Sequence, residues 1–216
     1  MELGTSRPAR PRKKQNYHHG NLRETLIECG LLLLDREGRE AMSLRSAARM
    51  AGVSQTAPKN HFRDKEGLLA AIAARGFRLL TESRSRATTS AGTTAETRLR
   101  RMINGYVEFA LARPALFDLM FGPVIRDKSQ YPELDAAAER SYQYLSGIVA
   151  EFMLDRRKSP GLSAESQSFV IWGAMHGLAT LLIQQPRARR YQRGKSPREL
   201  CDQLSNFVIR ALLAPA

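Results

Sequence analysis

A short stretch of the chain, Gln55 to Lys65, holds polar and basic side chains whose chemistry suits a nucleic acid. Glutamine can pair with N6 and N7 of adenine, and a threonine methyl can meet a thymine methyl. Lysine can bind phosphate as a point charge, and the start of a helix, where Lys65 is expected, also attracts phosphate. The alternative is a set of solvated polar residues on a short helix. The candidate DNA contacts are Arg45, Ser54, Gln55, Thr56, Lys59, Asn60, His61 and Lys65.

Two of these candidates have a second interpretation. His61 and the neighbouring Phe62 are expected to lock the packing of this segment more than to touch DNA. Arg45 can contact the DNA backbone or remain solvated, and the sequence does not decide between the two.

A second group of residues, mostly aromatic, has the chemistry of a pocket for a small molecule. Trp172 and His176 are four residues apart and therefore share one face of a helix. Each member alone is also an ordinary core residue, and His176 is expected first as a satisfied core histidine. The pocket candidates are Phe109, Phe117, Met120, Phe121, Tyr142, Phe152, Trp172 and His176.

The candidate DNA contacts must be positioned by two short helices that follow Ser43 and are joined by a tight turn. Ala48 is small enough for a second helix to cross closely, and Gly52 can take the positive φ that ends a helix. Ser43 is expected to cap the first of these helices, and Ser54 the next. This is the geometry of a helix-turn-helix, whose second helix enters a DNA major groove.

The remaining segments also show helical spacing of apolar residues, and no strand pattern is present. Asp64 is expected to cap a long helix, while Pro132, Ser163 and Ser196 mark the starts of later ones. We predict an all-α fold of about nine helices.

Composition limits the possible classes of protein. The 216 residues carry a formal net charge of +13, and a soluble protein this basic usually meets a polyanion. No apolar run approaches the roughly 20 residues that span a bilayer, and the basic N-terminus lacks the apolar stretch of a secretory signal. Cys29 and Cys201 fit neither a metal motif nor a disulfide framework. We expect a cytoplasmic protein with no membrane association, no metal and no cofactor.

Enzyme motifs are not found in the sequence. There is no P-loop, no dinucleotide glycine pattern, no HExxH and no GxSxG elbow. The adjacent His18 and His19 lack supporting ligands for a metal. We expect no enzymatic activity.

Three blocks between Tyr17 and Leu80, YHHGNLRETLIECG, SLRSAARMAGVS and HFRDKEGLLAAI, resemble the N-terminal DNA-binding domain of the tetracycline-repressor family of bacterial regulators. Further on, ARPALFDLMFG and then Trp172, His176 and Gly177 are similar to the Trp-His-Gly subtype of C-terminal domain in that family. The implied organisation is a disordered basic arm at 1–16, a helix-turn-helix domain at 17–64, a connecting helix at 65–86 and a ligand-binding and dimerisation domain at 95–216.

The resemblance implies a ligand-responsive repressor that binds a palindromic operator in double-stranded DNA as a homodimer. The last two helices, at about 163–184 and 197–213, would form the dimer bundle. A small-molecule inducer would change the separation of the two recognition helices and release the DNA.

The sequence departs from the family pattern at two positions. Lys59 stands where the family commonly has a tyrosine that touches phosphate, so its contact has less defined orientation. Ser46 stands where an acid often completes a capping box after Ser43, so the start of that helix is expected to be slightly weaker.

Two alternatives to the inducible repressor remain. The first is a helix-turn-helix protein without an inducer, such as an architectural protein or a co-regulator. The second is an all-α enzyme or a membrane-surface protein that uses its basic charge differently. A basic segment at 187–198 is expected to be a solvated loop, although it could also supply extra contacts to an anion.

Overall fold

The computed structural model describes residues 21–89, 92–155, 163–185 and 190–214. Throughout these residues the regular elements are helical, as predicted. The described ranges contain eight α-helices, where about nine are expected for the chain, with short 3-10 helices between some of them. They are α1 Leu22–Glu37, α2 Leu44–Ala51, α3 Lys65–Thr88, α4 Ala95–Ala112, α5 Pro114–Phe121, α6 Pro132–Asp155, α7 Ala164–Gln184 and α8 Pro197–Leu213. The predicted arm at 1–16, His18, His19 and the first part of the basic segment lie outside the described residues.

The missing ninth helix is the segment that follows Gly52. An α-helix capped by Ser54 is predicted there, and this prediction is wrong: the segment is a 3-10 helix, Ala57–Asn60, preceded by Thr56. Because Pro58 has no N–H, the Ser54 carbonyl cannot receive an α-helical hydrogen bond and accepts the Ala57 N–H instead, at 3.1 Å. The turn of the motif is therefore tighter than the sequence suggests.

The other caps of this region form as expected, with one correction. Gly52 ends α2 with φ of +68°, and Asp64 accepts the Gly67 N–H at 2.8 Å to cap α3. Ser43 accepts the Ser46 N–H at 2.9 Å, and the Ser46 hydroxyl accepts the Ser43 N–H at the same distance. Ser46 thus completes a capping box itself, and the expected weakening of α2 does not apply.

Helix α3 is the central element of the chain. It packs against α1, α4, α5 and α6, and α4 in turn packs against α6, α7 and α8. All seven residues from Leu68 to Ala74 are at most 5% exposed, so the first turns of α3 are buried on every side. The helix-turn-helix and the larger helical part are therefore joined by a continuous core.

The crossing of α1 over α3 depends on a glycine. A Cβ atom added at Gly30 would lie 2.5 Å from Cδ1 and 3.2 Å from Cγ1 of Ile72, and 3.3 Å from Cε of Met42. Ile72 is fully buried and has little room to move away.

Helix α7 is long and apolar enough to cross a membrane by length and composition, although the sequence is expected to contain no such segment. Only 22% of its most apolar window is buried within one copy of the chain. Phe169 and Val170 are 63% and 61% exposed on this helix. The described residues leave this apolar surface uncovered, and a surface of this kind commonly marks an interaction site.

Gly30→Val is expected to lower the free energy of unfolding by about 1–3 kcal/mol, because the added methyl groups overpack the crossing of α1 and α3. Gly147→Val in α6 is the matched control, since nothing lies within 4 Å of a Cβ at Gly147. Urea unfolding at one fixed protein concentration measures both. Equal effects of the two substitutions would show that the close approach at Gly30 has no energetic consequence.

Candidate functional site

The surface around the helix-turn-helix presents every predicted DNA contact to solvent. All eight candidates are exposed: Arg45, Ser54, Gln55, Thr56, Lys59, Asn60, His61 and Lys65. The expected packing role of His61 is wrong, because Phe62 alone is buried, at 4% exposure, with Arg23 lying over its ring. The side chain that anchors the motif in the core is therefore Phe62, and His61 is free to face a ligand.

Two further cations of the helix-turn-helix region are exposed, Arg49 on α2 and Arg63 before α3, and neither was among the predicted contacts. Their exposure together with Lys59 gives a basic surface that suits a phosphate backbone. The neighbouring Asp64 is engaged in the cap of α3. The hydroxyl groups of Ser54 and Thr56 bond to each other at 3.2 Å, which leaves Gln55 as the least constrained of the three consecutive polar residues.

Ion pairs connect the helix-turn-helix to the larger helical part. Glu133, at the start of α6, binds Arg23 of α1 and accepts from Arg78 of α3 at 2.8 Å. Partial burial opposes ionisation of Glu133, but the hydrogen bonds from Arg78 and Arg23 outweigh it and lower the pKa of this carboxyl group. One carboxylate of α6 thus contacts both α1 and α3.

A cavity of about 280 Å³ is lined by residues of α3, α4, α5, α6 and α7 and by Lys128. Apolar and aromatic side chains form most of its wall, and charged groups occur at a few places. Its lining residues are Phe77, Arg84, Tyr106, Phe121, Lys128, Asp135, Ala138, Glu139, Ser141, Tyr142, Leu145 and Trp172. Such a cavity with few polar groups is typical of a small-molecule site.

Arg84 is the most unusual group of the cavity wall, because it is a cation only 1% exposed. Its Nη2 donates to the carbonyl oxygen of Ser141 at 3.1 Å and to the Ser141 hydroxyl oxygen at 2.6 Å, and its Nε donates to the Leu80 carbonyl at 3.2 Å. Desolvation by burial lowers the pKa of Arg84 to about 10, so the guanidinium remains charged at neutral pH.

Tyr106 joins the cavity to α7 by two hydrogen bonds. The indole N–H of Trp172 donates to its hydroxyl oxygen at 3.3 Å, and this oxygen lies 2.9 Å from Nδ1 of His176. Burial lowers the pKa of His176 and raises that of Tyr106, which favours the neutral form of both. Since tryptophan can only donate, the Tyr106 hydroxyl oxygen accepts from Trp172, and its own hydrogen can be donated to Nδ1 in the tautomer of His176 that carries its proton on Nε2.

The predicted pocket residues fall into three groups. Phe121, Tyr142 and Trp172 line the cavity. Phe117 and His176 stack on each other beside it, with ring centroids 5.2 Å apart. The other three are buried core residues that do not line it: Phe109, Met120 and Phe152.

Nine of the twelve lining residues were not predicted from the sequence, among them Phe77, Arg84 and Tyr106. One signal for Arg84 was available, because Phe77, Leu80 and Arg84 are spaced by three and four residues and share the buried face of α3. A charged residue within an apolar helical stripe indicates a buried cation.

Comparison with known proteins places these features in a family. The family model described as "Tetracyclin repressor-like, C-terminal domain" matches residues 99–204, which follow the helix-turn-helix described above. A solved protein of unknown function from Rhodococcus sp. RHA1 is 34% identical, and the alignment covers 92% of this chain and 98% of that one, with a TM-score of 0.77. The chain belongs to the tetracycline-repressor family of transcriptional regulators.

Other solved transcriptional regulators share the fold of this regulator at lower identity. The TetR family transcriptional regulator PfmR from Thermus thermophilus is 16% identical, with coverage of 86% and 97% and a TM-score of 0.61. The transcriptional regulator FadR from Bacillus subtilis, solved in complex with stearoyl-CoA, is 14% identical, with coverage of 86% and 96% and a TM-score of 0.65. No curated protein sequence matches the chain. The Trp-His-Gly subtype stays a prediction.

In this regulator, Tyr106→Phe is expected to lower the free energy of unfolding by roughly 1–3 kcal/mol, because it leaves the Trp172 N–H and His176 Nδ1 without their shared partner. Tyr191→Phe is the matched control, since Tyr191 is 78% exposed. Urea unfolding monitored by circular dichroism compares the two variants. A Tyr106→Phe protein as stable as the control would contradict the bridging role of this hydroxyl.

Proposed function

We propose that this regulator is a repressor that binds a palindromic operator as a homodimer and leaves the DNA when a small molecule occupies the cavity. The main support for this proposal is that one helix contributes to both the candidate DNA interface and the cavity. Helix α3 begins at Lys65 on the basic surface and places Phe77 and Arg84 in the cavity wall. One rigid element thus touches the candidate DNA interface and the candidate effector site.

The DNA contact is proposed for the 3-10 helix Ala57–Asn60 and the residues around it. Gln55 and Thr56 are the base-contact candidates, while Lys59 and Lys65 are placed for phosphate. Two copies related by a two-fold axis would enter successive major grooves about 34–36 Å apart. Lys59 stands where the family commonly has a tyrosine. Its ammonium group is a mobile charge and lacks the defined orientation of a tyrosine hydroxyl, so it contributes more to the affinity for DNA than to the position of the protein along the DNA.

The homodimer is proposed to form through α7 and α8. Large apolar side chains of both helices are exposed, among them Phe169 and Val170 on α7 and Phe207, at 70% exposure, on α8. Two copies of this helix pair would make a four-helix bundle and cover the apolar face of α7. The same face then needs no membrane, which fits a cytoplasmic protein.

The effector is proposed to act through α6. This helix supplies Ser141 and Tyr142 to the cavity wall, and its first turn holds Glu133 between Arg23 and Arg78. A ligand that moves α6 relative to α3 therefore changes the position of the DNA-binding helices. The proposed activity is binding and release, and no enzymatic reaction is assigned to the chain.

The proposal is tested with DNA from the region upstream of the regulator's own gene. Fluorescence anisotropy is expected to show binding of one dimer to a palindromic site at low salt. A folded dimer that binds no palindromic site under these conditions would contradict the proposed repressor function. A regulator that binds DNA but shows no thermal shift with any member of a metabolite library would instead favour a helix-turn-helix protein without an inducer.

Lys59→Ala and Lys65→Ala are each expected to weaken operator binding across sequences and to reduce the slope of log K against log salt by about 0.9 for each phosphate that is no longer neutralised. Because each substitution occurs twice in a dimer, the slope falls by about twice that amount. Arg140→Ala, at an exposed position of α6, is the control and leaves the slope unchanged. An unchanged slope in all three variants would remove Lys59 and Lys65 from the interface.

Phe169→Asp is expected to convert the dimer to a monomer at micromolar concentration, because it places two charges in the apolar centre of the proposed bundle. Leu32→Asp is the matched control, since Leu32 is 47% exposed on α1, away from α7 and α8. Size-exclusion chromatography with light scattering gives the mass of each. A dimeric Phe169→Asp variant would place the subunit contact elsewhere.

A further inference from the structure

The polar groups on the inner wall of the cavity are mostly hydrogen-bond donors. A guanidinium has five N–H groups, and the described acceptors of Arg84 are the Leu80 carbonyl, the two oxygens of Ser141 and, weakly, the Met102 sulfur at 3.6 Å. One N–H on Nη1 therefore remains for a ligand. The Ser141 hydroxyl accepts from Arg84, so its own hydrogen is also available.

Arg84 has no counter-charge among the described residues. No Asp or Glu side chain of the described chain lies within 4 Å of its guanidinium, and its other neighbours are neutral, including the Tyr144 ring at 5.8 Å. A buried ion normally has a partner of opposite charge, because its desolvation is otherwise uncompensated. Here the space next to the cation is the cavity.

Two carboxylates also line the cavity, but they lie on its solvent side. Asp135 and Glu139 are exposed residues of α6, so water and salt screen their charges. Arg84 is buried and its field is screened much less. Lys128 adds a second, half-buried cation, whose ammonium donates to the Met120 carbonyl at 2.8 Å. The inner part of the cavity therefore favours a negative charge.

The apolar part of the wall determines the size and polarity of the ligand body that can bind. Phe77, Phe121, Leu145 and Trp172 provide apolar and aromatic surface. A volume of about 280 Å³ is close to the lower end of the range of roughly 300–1,000 Å³ for small-molecule pockets. A compact ring system or a short chain fits this space.

We propose that the cavity binds a compact organic carboxylate, whose carboxylate group accepts hydrogen bonds from Arg84 and Ser141 while its apolar body lies among Phe77, Phe121 and Trp172. This inference rests on the proposed function, since it takes the cavity as the effector site. Arg84 is then the residue that selects an acid over its neutral analogue, because the neutral analogue leaves the buried charge unpaired.

The test uses the full-length dimer and a panel of aromatic and short aliphatic carboxylic acids, each with its amide and its amine, for example 2-naphthoate, 2-naphthamide and 2-(aminomethyl)naphthalene. Isothermal titration calorimetry is expected to find series in which the acid binds roughly tenfold to a hundredfold more tightly than its amide, as for hydrogen bonds to a charged group. An amide or amine that binds as tightly as its acid in every series overturns the proposal. So does the absence of binding by every acid at millimolar concentration.

Arg84→Met keeps the length of the side chain and removes its charge, and it is expected to reduce the affinity for the acid to that for the amide. The affinity for the amide should stay unchanged. Arg140→Met is the matched control, because Arg140 is exposed on α6 and does not line this cavity. If Arg84→Met does not fold, the comparison of acid, amide and amine on the unaltered protein decides the question alone. Loss of acid binding in Arg140→Met as well as in Arg84→Met would overturn the assignment to Arg84.

Measurement of operator release with the same compounds separates this inference from the proposed function. An amine or amide that releases DNA while the acids do not bind supports an inducible repressor and refutes the anion site. An acid that binds through Arg84 without any effect on bound DNA confirms the anion site and contradicts the inducer mechanism.

Discussion

Close packing around the first half of α3 is the constraint on which the rest of the molecule depends. Four helices meet this one, and its sequence allows it because most of the contact positions are small, including Ala70, Ala73, Ala74 and Gly76. A Cβ at Gly76 would lie 2.7 Å from the Met120 sulfur, so α5 approaches as closely as α1 does. The DNA-binding helices and the cavity are consequently built on one shared core, and neither can move far without repacking the other.

The ends of the helices were predictable because they depend on local chemistry. A serine, an aspartate or a glycine acts on the backbone within a few residues, as Asp64 and Gly52 do. The recognition segment, Ala57–Asn60, was predicted as an α-helix and is a 3-10 helix for an equally local reason. Pro58 cannot donate a hydrogen bond to the Ser54 carbonyl, and this effect outweighed the capping tendency of Ser54. Ser46 shows the converse, because a hydroxyl group performed the role that the family pattern gives to an acid.

The cavity was predictable only in part, because its wall comes from helices distant in sequence. Aromatic side chains are an incomplete guide: Phe152 is as apolar as Phe121, yet the rotation of its helix places it in the core. Arg84 and Tyr106 become important through partners on other helices, Ser141 and His176. These contacts between helices arise from the tertiary fold, so the spacing of residues within one helix cannot predict them.

The length of α3 has a mechanical consequence. From Arg84 in the cavity wall to Lys65 at the candidate DNA interface the helix rises about 29 Å, at 1.5 Å per residue. A tilt of about 10° around the Arg84 end would displace the Lys65 end by roughly 5 Å over that length. In a two-fold dimer, the displacements of the two Lys65 ends change their separation or leave it unchanged, depending on the direction of the tilt. In the proposed mechanism, a small ligand-induced tilt at the cavity end of α3 would therefore produce a larger displacement at the Lys65 end, provided that the shared core repacks.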